Sequence, residues 1–193
     1  MKSNLILASK SPRRQELLRK IYKDEFVICN SKFDENKLKD TITDPVKLTE
    51  LLAINKALAV SNENKDYFVL GSDTVVEIDG EILGKPQNAE STRVMLRKLF
   101  DKTHHVMTSY AIVKNNEVLF SETVVSDLFI HKMSDEELEA YIKTGSPFDK
   151  AGGYGVQDVD FIKTDKVNEE DFHNIMGFPI EHIKIALKKL QII

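Results

Sequence analysis

The stretch ILASKSPRRQELL, residues 6–18, sets the fold class. The apolar segment from Leu5 to Ala8 reads as a strand that runs into Ser9, Lys10 and Ser11. Pro12 then stands at the first position of a helix, with Ser11 as its N-cap, and the helix is expected to continue to Tyr22. The charges are the anomaly. Arg13 and Arg14 fall in the first turn, the electropositive end of the helix, where carboxylates are favoured and cations are not. Two readings stay open. The arginines point into water, or they belong to an anion site built from the free N–H groups of the helix end, the hydroxyls of Ser9 and Ser11, and a guanidinium. A bound phosphate would reverse the local electrostatics, and the planar fork of arginine matches its oxygens.

Strand and helix signals alternate along the rest of the chain. Phe26 to Cys29 reads as a short strand and Asn30 to Asp44 as mostly loop. Asp44-Pro45 opens a helix to about Ser61, with Leu48, Leu51, Leu52, Leu58 and Ala59 on one face. Phe68 to Gly71 and Val75 to Ile78 read as strand segments with an interruption between them. Asp79-Gly80 marks a hairpin returning through Ile82-Leu83 to Gly84-Lys85-Pro86. A helix is expected from Ala89 to Phe100, and two long strands, Val106 to Val113 and Val118 to Ile130, joined at Asn115-Asn116. Ser134 to Glu137 forms a capping box for a helix that stops at Gly145. Phe161-Ile162 reads as a strand, and Pro179 starts a last helix with Ile183, Ala186, Leu187 and Leu190 on its apolar side. No internal repeat or low-complexity linker interrupts this pattern, so the expectation is mixed α/β in one domain spanning residues 1–193.

Composition narrows the function. Hydrophobic residues make up 41% of 193, enough for a core and against wholesale disorder. The net charge is −4 with no long basic run, so nucleic acid is not an expected partner, and any phosphate must be held by a local cluster of cations. Cys29, the sole cysteine, excludes an internal disulfide and a cysteine zinc site, and reads as a core residue. No apolar run reaches the roughly 20 residues of a membrane span, and strand-like sequence begins by residue 4. A soluble, cytoplasmic protein is expected.

Several residues carry chemical signals beyond the first helix. Asn55 falls within the leucine stripe of the second helix and needs a partner there, with Lys56 at its margin. Lys85 sits in a tight turn. In VLGSDTVVEIDG, residues 69–80, Asp73 lies between apolar strand segments beside Thr74. A buried aspartate is costly unless paired or bound to metal. It reads either as a turn aspartate or as a carboxylate that holds Mg²⁺ or deprotonates water. Asp34 and Glu35 add acids in a polar loop. DKAGGYGVQ, residues 149–157, joins a charged pair to glycines that admit a close ligand, and Gln157 offers both donor and acceptor to a base edge. His104-His105 would face opposite sides of a strand and read as structural or surface residues.

Taken in order, Ser9-Lys10-Ser11-Pro12-Arg13-Arg14, Asn55-Lys56-Ala57, Gly71-Ser72-Asp73-Thr74-Val75, Gly84-Lys85-Pro86, Asp149-Lys150-Ala151-Gly152-Gly153-Tyr154-Gly155 and Gly177-Phe178-Pro179 closely resemble the Maf family of nucleoside triphosphate pyrophosphatases. The resemblance spans nearly the whole chain. It implies the Maf/inosine-triphosphatase-like α/β fold, a bent mixed β-sheet flanked by helices, with two lobes and a cleft. It implies hydrolysis of a nucleoside triphosphate to the monophosphate and pyrophosphate with a divalent cation, Mg²⁺ or Mn²⁺. Asp73 matches the proton acceptor. Arg13, Thr74 and Gln157 match the pattern of the branch that cleaves dTTP and UTP. Ser9, Ser11, Lys56 and Lys85 would bind the substrate, and Glu35 with Asp73 would hold the metal. The family's Gly-Leu-Pro is Gly177-Phe178-Pro179 here, and its Ser-Gly before the central histidine is Phe100-Asp101. The other open reading is a nucleotide-binding regulator of cell division, related to septum formation, with incidental hydrolysis. A homodimer is also left open.

Overall fold

The computed structural model describes residues 4–193. Strand β1 (Leu5–Leu7) leads into helix α1 (Pro12–Ile21), then the short β2 (Val27–Ile28). The expected loop carries one short helix, α2 (Asn36–Lys39), before α3 (Pro45–Glu63). β3 (Phe68–Ile78) turns tightly into β4 (Glu81–Leu83), followed by α4 (Ala89–Leu99) and the long hairpin β5 (Lys102–Lys114) and β6 (Glu117–Ile130). The chain ends through α5 (Asp135–Lys143), two 3₁₀ turns (Ser146–Asp149 and Ala151–Gly153), α6 (Glu169–Ile175) and α7 (Ile180–Lys189).

Local chemistry explains the boundaries. Ser11 caps α1 by accepting from the Arg14 N–H, Asp44 caps α3 at Lys47, and both halves of the Ser134–Glu137 capping box form. Asp79 and Gly80 both take positive φ, at 52° and 83°, the backbone of a two-residue hairpin whose twist matches its strands.

The sheet runs in the order β2-β1-β3-β5-β6, with β4 beside β3. β1 pairs parallel with β2 and β3, whereas β3 pairs antiparallel with β4 and β5, and β5 with β6. β3 is the spine. One edge is covered by β5 from Val69 to Glu77. The other is covered by β1 at Phe68–Leu70 and by β4 at Val76–Ile78. One apolar core gathers around β1, α1, α7 and Phe178, and another around the far ends of β3, β5 and β6 with α4 and α5. A third, smaller core lies between α3 and the opposite face of the sheet.

Several expectations change. The interruption at Asp73 does not exist: β3 is continuous, and Asp73 pairs with Ser109 on β5. The buried face of α3 is Leu48, Thr49, Leu52, Ala53, Ala57, Val60 and Ser61, so Leu51 and Leu58 lie off it. Asn55 is satisfied locally, donating from Nδ2 to the Leu51 carbonyl at 2.8 Å, while Lys56 belongs to the inward side. Phe161-Ile162 is a turn anchored by N–H donations to the Asp158 carbonyl, and its side chains fill the second core. Helix α6 was not anticipated, although Asn168 ahead of three acids is a legible N-cap. Cys29 is only half-buried, at the margin of the third core.

Candidate active site

The gap in the edge of β3 builds the site. Between β1 and β4 no described strand covers Gly71 to Val75 on this edge, and a cleft of about 800 Å³ opens there. Side chains alternate across this segment. Gly71 faces α3 so closely that a Cβ would lie 2.5 Å from the Ala53 carbonyl oxygen. Asp73 shares that side. Ser72, Thr74 and Val76 face the other.

On the α3 side, Lys56 donates to Asp73 Oδ1 and, at 2.7 Å, to Glu35 Oε1. Lys39 reaches the other Glu35 oxygen, Oε2, at 2.5 Å. Burial would raise the Glu35 pKa, but the two lysines outweigh it and hold the carboxyl at about 2. Asp73 Oδ2 carries no hydrogen bond among the described residues. A buried aspartate within a strand is tolerated because an ammonium answers its charge. Lys85 lines the same cleft without an ion pair among the described residues, and its pKa is lowered by burial and by Arg14 and Lys56.

The two arginines divide the work. Arg14 is half-buried and is a clamp. Its Nε donates to the Gly177 carbonyl at 2.9 Å, one terminal nitrogen to the Ser72 carbonyl at 2.6 Å, and the other to Thr74 Oγ1 at 3.1 Å. It thereby satisfies the Ser72 carbonyl that the gap in β3 would leave unpaired. Arg13 spans the cleft instead, pairing at 2.7 Å with Asp149, which also takes Lys150 at 2.7 Å. Burial opposes ionisation of Asp149, but these hydrogen bonds lower its pKa overall. The Ser9 hydroxyl accepts from the Ser11 N–H at 3.2 Å, so both serines shape the entry to α1.

The other half of the cleft is apolar. Val76, Val106, Ile175, Met176 and Tyr154 line it, with Gln157 among them. The glycine turn packs here, since a Cβ on Gly152 would lie 3.2 Å from Val76. All nine candidates, Ser9, Ser11, Arg13, Glu35, Lys56, Asp73, Thr74, Lys85 and Gln157, line this one cleft. The sequence reading missed the cross-cleft role of Asp149, whose signal was its place beside Lys150 in a glycine-rich motif. It also missed the internal role of Arg14.

A family model described as Maf-like protein matches residues 4–190. The chain belongs to the Maf family. Its Maf relatives include a protein of Fusobacterium nucleatum, 40% identical over 96% of this chain and 95% of its own length, and one of Acholeplasma laidlawii, 42% identical over 97% and 95%. Both are named dTTP/UTP pyrophosphatase, as is a 38% identical relative from Dictyoglomus thermophilum. The fold is shared with Ham1 proteins of Staphylococcus aureus (TM-score 0.54, 16% identity, 96% of this chain and 98% of that one) and Coxiella burnetii (0.52, 13%, 97% and 99%). Both departures from the Maf motifs have a structural account. Phe178 is wholly buried in the first core. Asp101 takes φ 55° where the family pattern has glycine, and its carboxylate is stapled by the Lys132 N–H.

Proposed function

We propose that this Maf protein hydrolyses dTTP and UTP to the monophosphate and pyrophosphate. The relatives' names support the reaction, and one observation carries it to these residues: a pair of carboxylates centred on Lys56 lies at the uncovered edge of β3, in the cleft that Arg13 and Lys85 also line. The triphosphate lies over the start of α1 and along the charged half of the cleft, and the base enters the apolar half. Arg13 and Lys85 offset the phosphate charge, with the electropositive tip of α1 beside them. Lys56 is already committed to two carboxylates, so its role is to aim Asp73. Asp73 Oδ2 accepts a proton from the attacking water. The water oxygen bonds to the α-phosphorus, the bond to the bridging oxygen breaks, and pyrophosphate leaves.

Among the described residues, no group of three or more His, Cys, Asp or Glu could hold a metal ion. Two convergent carboxylates nevertheless suit a hard divalent cation that binds through one or two carboxylates and the substrate's phosphates. Glu35 and Asp73 would hold Mg²⁺ or Mn²⁺, which supplies charge neutralisation at the phosphates. No described helix is long and apolar enough to cross a membrane. The test is pyrophosphate release across a panel of nucleoside triphosphates with Mg²⁺ or Mn²⁺. Turnover favouring dTTP and UTP is expected. Nucleotide binding without turnover would overturn the reading in favour of a regulator.

A further inference from the structure

We infer that Thr108 fixes Thr74 as a hydrogen-bond acceptor, so that the cleft selects pyrimidines offering an N–H at that point, uracil and thymine, over cytosine. The inference rests on the reading of the cleft as a pyrimidine nucleotide site.

The donors and acceptors around Thr74 can be assigned without ambiguity. The Asn174 carbonyl can only accept, so the Thr108 hydroxyl, 2.9 Å away, spends its one hydrogen there. Thr108 and Thr74 lie opposite each other on β5 and β3, with hydroxyl oxygens 3.0 Å apart. Thr108 has no second hydrogen, so Thr74 must donate to it. The Arg14 guanidinium has only donors, and at 3.1 Å one of them takes a lone pair of the Thr74 hydroxyl. Thr74 is left with one lone pair and no hydrogen for a ligand.

Gln157 cannot make the same choice. Its amide carries a donor and an acceptor, has no hydrogen bond among the described residues, and can present either end by rotating. Fixed polarity therefore resides in Thr74, at the boundary between the charged and apolar halves of the cleft. Uracil and thymine carry N3–H between two carbonyls and meet a lone pair favourably. Cytosine has a lone pair at N3, and facing another it leaves both unsatisfied, the kind of mismatch that gives strong discrimination. Thr108 touches no substrate in this scheme and is a positioning residue.

The test compares kcat/KM for UTP and CTP, by pyrophosphate release, in wild type, Thr108→Val and Thr108→Ser. Valine keeps the shape and removes the acceptor. The Asn174 carbonyl retains the Gly177 N–H at 2.8 Å, so no orphan is created there. Freed from Thr108, the Thr74 hydroxyl can turn and donate to cytosine. Wild type is expected to prefer UTP by about tenfold or more, Thr108→Val to lose most of that preference through a relative gain on CTP, and Thr108→Ser to restore it. An equal loss on both substrates in Thr108→Val, with the ratio preserved, makes Thr108 merely structural and overturns the inference. So does a wild-type preference below about threefold, which needs no variant to fold. If wild type releases no pyrophosphate from any pyrimidine triphosphate, the proposed function itself falls and takes this inference with it. UTP cleavage with an unmoved ratio defeats the inference alone.

Discussion

Adjacent arginines in one helical turn do opposite jobs, and substitution separates them. Arg13 is held only by an ion pair at the cleft, and such partly exposed pairs contribute about 0–1 kcal/mol. Arg13→Ala should leave the melting temperature nearly unchanged while lowering kcat/KM on dTTP by about tenfold or more, because the proposed charged phosphate contact is lost. Arg14→Ala should do the reverse first: it strips donors from the Ser72 and Gly177 carbonyls and should cost about 2–4 kcal/mol in urea unfolding. Equal thermal losses in the two variants would refute this division. Asp73 gives a sharper case. Asp73→Asn preserves shape, leaves Lys56 paired to Glu35, and removes the proposed proton acceptor. Pyrophosphate release should vanish while nucleotide binding, followed by calorimetry, persists. Loss of binding as well would make Asp73 an anchor rather than a base.

At the scale of elements, the docking of α3 on β3 decides where the acid pair stands. Gly71 permits it, since its added Cβ would strike the Ala53 carbonyl and the Ala57 Cβ, the latter at 2.9 Å. Both are core positions of α3 with no room to yield. Gly71→Ala should therefore lower stability by about 1–3 kcal/mol and, by displacing Lys56, reduce kcat more than stability alone explains. A variant with wild-type melting and turnover would show that α3 can shift freely. The sequence made some of these elements plain and hid others for physical reasons. Helix starts were legible because Ser11-Pro12 and Asp44-Pro45 are local signals, complete within a few residues. The continuity of β3 was not, because what licenses Asp73 within a strand is Lys56, 17 residues earlier and on another element. The leucines of α3 misled similarly. Leu51 and Leu58 suggested a face, but Ala53 and Ala57 are buried because β3 comes close, which no periodicity of large residues reveals. The cleft's membership was legible from motif order; the Arg13–Asp149 pair, joining positions 136 apart, was not.

Across the whole molecule, the two halves of the cleft hang from different cores, and one buried histidine ties the glycine turn to the sheet. His104, on β5, meets the Tyr154 hydroxyl through Nε2 at 2.6 Å, and the tyrosine ring stands edge-on to it. Tyr154 leads the chain toward Gln157, so this contact helps set the apolar wall of the cleft. Burial lowers the His104 pKa to about 4. The unfolded chain protonates this imidazole near pH 6.5, the folded one not until about pH 4. The stability it contributes is therefore complete above about pH 6.5 and is lost as pH falls toward 4. Between about pH 7.5 and 5.5 the loss should reach about 1 kcal/mol. His182 works in the opposite sense. Burial opposes its charge, but Glu170 and Glu122 raise its pKa, so its contribution fades as pH rises. Urea unfolding of wild type and His104→Phe at both pH values isolates the first histidine by difference. The variant should be less stable at the higher pH, having lost the Tyr154 contact, yet decline less on acidification. Parallel declines would mean that His104 is not held neutral by the fold, and that acid loosens the cleft elsewhere.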